Sequence, residues 1–332
     1  MDKWNVTYST FTENSMNYNI TTGNSSVENT FVFVTGLVWL MMIISFLGFV
    51  ENGLMFWFLC FKIRRNPFTV YIANLCVADT CLLLCDFVLL VHYALASEDS
   101  FGNYHTLTFF TFTFLFGYNT GLCFLTVISV ERCLCVLYPV WYRCHRSRHQ
   151  SAIVCTILWT FSCLVTIAEY CVCIDTLTEE AVESYREICQ GMIIFLSILN
   201  FLLCAPLMIL SSLILVMKTY KTSLTSHSSK FYKIIVTTVI IYLIFALPLR
   251  ILHLLQYYYN SLLPEVMGTL FMLLSTINSA VNPLIYYLVG SSKGKRFRES
   301  LKVVFDRAFK DGSEPESQET AVYQRAASER AH

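Results

Sequence analysis

Amide and ionisable side chains stand inside long apolar runs of this chain, and they are the residues with chemistry to offer. Asn52, Asp79, Asp86, Glu131, Arg132, Glu169, Arg250 and Asn282 each interrupt stretches rich in Leu, Ile, Val, Phe and Cys. A charge in such surroundings is costly, so it pairs, faces a polar interior or marks a site. A buried carboxylate such as Asp79 can change protonation or bind a cation. It can also join Asn52 and Asn282 in a polar network between helices, and glue of that kind is the bland reading of Asn52. Glu131-Arg132-Cys133 closes an apolar run. There Arg132 can pair with Glu131, reach the inner mouth of a helix bundle, or snorkel to water. Catalytic patterns are missing: no metal-ligand spacing, no nucleophile elbow, and no sign of a cofactor. The 14 cysteines show no zinc pattern, and most read as small hydrophobes.

The elements that must hold these residues are membrane helices. The chain is 55% hydrophobic and 14% charged, against roughly 25% charged in soluble domains. Its net charge of zero gives no reason to expect a nucleic-acid partner. A helix needs about 20 apolar residues to cross a hydrocarbon core of roughly 30 Å. Seven blocks qualify, at 31–61, 68–96, 104–138, 150–174, 189–217, 231–256 and 265–289, with no room between them for a soluble domain. The expected fold class is therefore an all-α membrane protein, a seven-transmembrane helix bundle spanning 31–290.

Basic residues sort to one side of these spans. Lys62, Arg64 and Arg65 follow the first. Arg143, Arg146 and Arg148 follow the third, and Lys218, Lys221, Lys230 and Lys233 follow the fifth. Many more follow the seventh, whereas the opposite side holds Lys3 and Arg186. Excess Lys and Arg mark the cytoplasmic side, so the N-terminus is expected outside and the C-terminus inside. Three glycosylation sequons agree, at Asn5, Asn19 and Asn24, all within the tail 1–30. Pro206, Pro248 and Pro283 fall inside spans, where each removes a backbone donor and kinks a helix. Residues 291–310 place Phe297, Leu301, Val304 and Phe305 at helical spacing beside Lys295, Arg298 and Lys302, the pattern of an amphipathic helix on membrane lipid. Residues 311–332 are polar and expected to be disordered.

These residues together resemble the rhodopsin-like receptor signature. The match comprises Asn52, Asn74-Leu75-Cys76-Val77-Ala78-Asp79, Glu131-Arg132-Cys133, Trp159, Pro206, Pro248 and Asn282-Pro283-Leu284-Ile285-Tyr286, one marker set per span. Gly48 to Gly53, Arg64 to Tyr71, Phe114 to Leu122 and Leu137 to His145 further resemble the Mas and Mas-related receptors, including the type H branch. The resemblance implies a plasma-membrane receptor, not an enzyme. It would carry the binding of an extracellular peptide or other cationic ligand to a heterotrimeric G protein, with arrestin as a further partner. Arg132, Tyr286 and a pivot at Pro248 would form the coupling end. No acid stands in 218–233 to lock Arg132, which implies ligand-free signalling.

Departures from the broad class are visible. Leu107 stands where most members have a helix-3 cysteine, and the Mas-related pattern implies a Cys173–Cys189 bridge instead, with Cys171 the rival partner. Ala246 stands at the helix-6 switch tryptophan, Gly121 at a sodium-site serine, and Ile214 at a helix-5 tyrosine. Glu169 resembles the acid used for cationic ligands, although Ile193 stands at the second acid of that pair. Acids dominate the expected outer loops, a field that enriches cations or simply keeps that face solvated. Arg250 can hold a ligand carboxylate or pair with Glu169 or Asp86. His92, Phe114, Tyr170 and Tyr257 complete the candidate pocket walls. The rival within the same fold is a weakly coupling ligand sink or partner subunit of another receptor. A transporter would show internal repeats, which are absent, and span 7 lacks a lysine for retinal.

Overall fold

The structure is a computed structural model, which describes residues 25–63, 66–95, 104–144, 146–147, 149–173, 182–221, 236–237, 239–246, 251 and 265–290. The described residues are helical almost throughout. Helix α1 is Ser25–Phe61, α2 is Pro67–Leu95 and α3 is Tyr104–Leu137; a short α4, Pro139–Cys144, precedes α5, Gln150–Cys173. Helix α6, Val182–Ile198, runs through a π-helical segment, Leu199–Cys204, into α7, Ala205–Lys221. A second π segment covers Tyr242–Ala246, and α8 is Glu265–Gly290.

Five stretches are long and apolar enough to cross a membrane: Phe31–Phe61, Pro67–His92, Thr108–Cys135, Gln150–Val172 and Ile188–Met217. These follow the first five expected spans closely. Most of the expected sixth span, and the expected amphipathic segment 291–310, lie outside the described residues. The expected seventh is helix α8, which carries Ser275, Thr276, Asn278, Ser279 and Asn282 buried along its length. The result is a seven-helix bundle that presents its polar residues inward.

Burial sets the layout. The α3 stretch is 72% buried against 28% for those of α1 and α5, so α3 is the central post. Helix α2 packs against both α1 and α3, α8 against α1 and α2, and α7 against α3. Trp39, Ile43 and Leu54 on α1 and Ile153, Ile157 and Leu164 on α5 remain exposed, as lipid-facing side chains should. Two glycines allow the closest helix approaches. A Cβ on Gly48 would stand 2.7 Å from the Ala280 Cβ on α8, and one on Gly117 would stand 2.9 Å from the Ala78 carbonyl on α2. Small residues at such seams are how membrane helices pack without a hydrophobic drive between them.

Local sequence explains where elements start and bend. At the head of α2 the Thr69 N–H donates to Asn66 Oδ1 at 2.8 Å and the Asn66 N–H donates back to Thr69 Oγ1 at 2.9 Å. Pro67, which has no N–H to satisfy, takes the first helical position. Pro206 sits just after the first π segment, where the Ala205 N–H reaches Asn200 O, five residues back. The extra residue in that turn relieves the proline's clash with the preceding backbone.

Candidate functional site

At the end of the bundle formed by Phe61, Pro67 and Leu137, here the basic end, the side chains form one connected cluster. Glu131 is buried and accepts from the Tyr71 hydroxyl at 2.9 Å. It also pairs with the Arg146 guanidinium at 3.1 Å. The same Arg146 nitrogen donates to Ser151 Oγ at 2.9 Å and to the Tyr71 hydroxyl at 3.4 Å, so this one nitrogen joins α3, α2 and α5. Arg132 is buried too, its guanidinium carbon 3.2 Å from the centre of the Phe68 ring. Phe68 stacks on Tyr142 of α4, 5.9 Å between centroids and 11° between planes. Arg146 lies over the Tyr142 ring at 4.8 Å. Burial, reinforced by the nearby Glu131 charge, pushes the Tyr142 phenol well above the usual tyrosine range, so it stays neutral.

Deeper in the bundle, α8 is the hub of the polar layer. Pro283 cannot donate to the carbonyl four residues earlier, which belongs to Ser279. Asn52 of α1 takes that place: its Nδ2 donates to Ser279 O at 3.1 Å and to Gly48 O at 2.9 Å. Asn282 Nδ2 donates to Asp79 Oδ2 at 2.7 Å, tying α8 to α2. Asn52 and Asp79 thus meet through α8. A small cavity of about 10 Å³ beside Asp79 is lined by Gly121, Asn278 and Ser279 among others. Tyr286 is buried one turn beyond Asn282.

The other half of the bundle has its own acids. Two helical turns along α2 from Asp79, Asp86 accepts from Ser45 Oγ at 2.5 Å and from Thr276 Oγ1 at 3.0 Å. Glu169 is buried on α5 and accepts from Asn119 Nδ2 at 3.3 Å; the same amide donates to Thr166 Oγ1 at 3.0 Å. Phe114 lies in the core, Tyr170 packs edge-on against Phe112 at 5.7 Å, and His92 is half-buried near the end of α2. Cys189 is disulfide-bonded, while Cys171 carries a free thiol. Arg250, Tyr257, Pro248, Asn5, Asn19, Asn24 and the side chain of Cys173 lie outside the described residues. Among the described residues no group of His, Cys, Asp and Glu is arranged to hold a metal ion.

Comparison with known proteins bears on this arrangement directly. The family of seven-transmembrane receptors (rhodopsin family) matches residues 51–286. The chain is 54% identical to the rat proto-oncogene Mas over 319 residues, 96% of each chain. It is 56% identical to the human proto-oncogene Mas over 301 residues, 90% of this chain and 91% of that protein. It is 40% identical to the rat Mas-related G-protein coupled receptor member H over 307 residues, 92% of this chain and 91% of that protein. The chain is a Mas-family G-protein-coupled receptor.

As a receptor of this family, it is a multi-pass membrane protein whose inner polar layer was legible beforehand, since Asn52, Asp79 and Asn282 were expected to share one network. The cluster around Glu131 was not. Arg146 reads in the sequence only as a loop charge, and nothing in its spacing from Glu131 reveals the contact. Two other partnerships did leave a trace. Ser45 and Asn52, like Asp79 and Asp86, stand seven residues apart and so share a helix face, while Thr166 and Glu169 share one at a spacing of three. Trp159, expected as a marker, donates from its indole nitrogen to Asn74 Oδ1 at 2.8 Å and so pins α5 to α2.

Proposed function

We propose that this Mas-family receptor binds a cationic ligand, a peptide or another molecule of that charge, in the half of the bundle that holds Glu169 and Asp86. The basic end faces the cytosol, as the distribution of Lys and Arg argues. The observation that carries the ligand reading is Glu169, a carboxylate buried in a membrane helix. The neutral amide of Asn119 donates to it at 3.3 Å. A carboxylate there gains from an arriving cation, and the outer loops rich in Glu and Asp would raise the local cation concentration. His92, Tyr170, Phe114 and, beyond the described residues, Arg250 and Tyr257 contribute to the same pocket. Catalysis plays no part, and the chain needs no cofactor.

Ligand preference for one of two arrangements then shifts the population toward coupling. Arg132 and Tyr286, with a pivot at Pro248, form the face that a heterotrimeric G protein engages. The disulfide of Cys189 closes on Cys173, as the Mas-related pattern implies, and the free thiol of Cys171 supports that pairing. Asn5, Asn19 and Asn24 carry glycans on the outer tail, 291–310 lies along membrane lipid, and the tail 311–332 offers Ser313, Ser317, Thr320 and Ser328 for arrestin recruitment after phosphorylation.

The test is G-protein activation in cells, across all G-protein classes, before and after cationic peptides, at matched surface expression. Wild type should signal weakly without ligand and strongly with one. Arg132→Ala should abolish both signals, and Glu169→Gln should blunt only the second. A wild-type chain that binds peptide at the surface yet stays silent with every G protein would instead identify a ligand sink or partner subunit.

A further inference from the structure

The basic end contains a restraint on Arg132 supplied by α2, α3 and the α4 segment. The segment 218–233 has no Asp or Glu to hold that arginine, yet Arg132 is buried. Its guanidinium rests on Phe68, Phe68 stacks on Tyr142, and Tyr142 lies beneath Arg146. The contact series therefore begins and ends in a guanidinium and passes through two aromatic rings. Its far end is anchored. Arg146 holds Glu131, the residue next to Arg132, at 3.1 Å, and both side chains are only 7% exposed. It also reaches Ser151 at 2.9 Å and Tyr71 at 3.4 Å. Charge–ring contacts of this kind strengthen when shielded from water, and a buried pair that loses one member leaves an uncompensated charge.

We propose that Arg146 is a positioning residue for coupling: through Glu131 on one side and the Tyr142–Phe68 stack on the other, it keeps Arg132 folded into the bundle. The restraint ties α3 to α2 and to the α4 segment. An incoming G protein that contacts the α4 segment would disturb the stack and expose Arg132 in one motion. This inference rests on Arg132 being the coupling residue.

The full-length receptor is expressed in cells at matched surface level, and ligand-free G-protein activation is read for wild type, Arg146→Ala, Arg146→Lys, Phe68→Leu and Arg146→Ala combined with Arg132→Ala. Release of one restraint should raise ligand-free activation about threefold to tenfold in Arg146→Ala and Phe68→Leu. Arg146→Lys keeps a charge beside Glu131 without the planar guanidinium over Tyr142 and should fall between them and wild type. The double variant should be silent. A purely structural role for Arg146 would lower activity or surface level, and would not raise signalling. If Arg146→Ala does not reach the surface, Phe68→Leu decides, since it leaves the Glu131 pair intact. Ligand-free activation at or below wild type in the variants that reach the surface overturns the proposal. Signalling that survives Arg132→Ala overturns the coupling reading beneath it.

Discussion

Glu131 and Asp86 are both buried acids on neighbouring central helices, yet their surroundings differ in kind. Glu131 meets a guanidinium and a phenol. Asp86, on α2, meets two hydroxyls, from Ser45 and Thr276, and no cation among the described residues. Charge is cancelled by charge at Glu131, whereas at Asp86 it is held by two hydroxyl dipoles. The first arrangement is rigid and costly to break from one side. The second can give up its charge, or accept a cation, with little rearrangement of its donors. The proposed function would use both behaviours, a lock where the receptor would meet its G protein and a responsive acid where it would meet its ligand.

The sharpest way to break this contrast is to remove one partner from each site and compare stability. Arg146→Ala leaves Glu131 buried without its counter-charge and should cost about 3 kcal/mol. Asp86→Asn keeps an acceptor for the two hydroxyls and should cost about 1 kcal/mol. Thermal unfolding of detergent-solubilised receptor can be followed with a thiol-reactive dye, because Cys76, Cys85, Cys155 and Cys204 are buried free thiols. Equal midpoint shifts for the two variants would erase the proposed difference between the ends.

A second contrast concerns why α8 needs α1. Asn52→Ala removes the donor to the Ser279 carbonyl that Pro283 leaves open. The expected loss is about 1–3 kcal/mol, the cost of a buried unsatisfied acceptor. In a Pro283→Ala background the helix regains its own N–H, so the same Asn52→Ala change should cost less than half as much. Additive losses in this cycle would show that Asn52 stabilises the bundle by some other contact.

How much of this was legible beforehand follows from the range of each interaction. Hydropathy over about 20 residues is a local quantity, and the first five expected spans agree with the apolar helical stretches to within four residues at each end. Helix α8 is a member of the bundle despite its polar content, because Asn282 and Thr276 spend their polarity on α2. The partnership of Asn52 with Ser279 was implicit in Pro283, whose freed carbonyl calls for a donor. Arg146 could not be read in this way. Its position depends on how α4 turns the chain back beneath α2, and a one-dimensional pattern does not hold that direction. Asn119 lies between these cases, since the Thr166 and Glu169 stripe announces a polar neighbour without saying which helix supplies it.

The smallest expected effect separates two glycines on α3 that look alike in sequence. At Gly117 a Cβ would stand 2.9 Å from both the Ala78 carbonyl and the Leu82 Cβ, atoms that belong to or adjoin the α2 backbone and cannot swing aside. Gly117→Ala should therefore push α2 and α3 apart and cost about 1–3 kcal/mol by overpacking. One helical turn on, a Cβ at Gly121 would meet Asp79 Oδ1 at 3.5 Å, an ordinary contact. Gly121→Ala should be neutral or stabilise by up to about 1 kcal/mol, because alanine loses less freedom than glycine on entering a helix. The two variants differ by one methyl group each, so their thermal midpoints compare the α2–α3 seam with the space beside Asp79 directly. A matching loss at both positions would mean that the gap beside Asp79 closes in the folded receptor, and that its acid is held as tightly as Glu131.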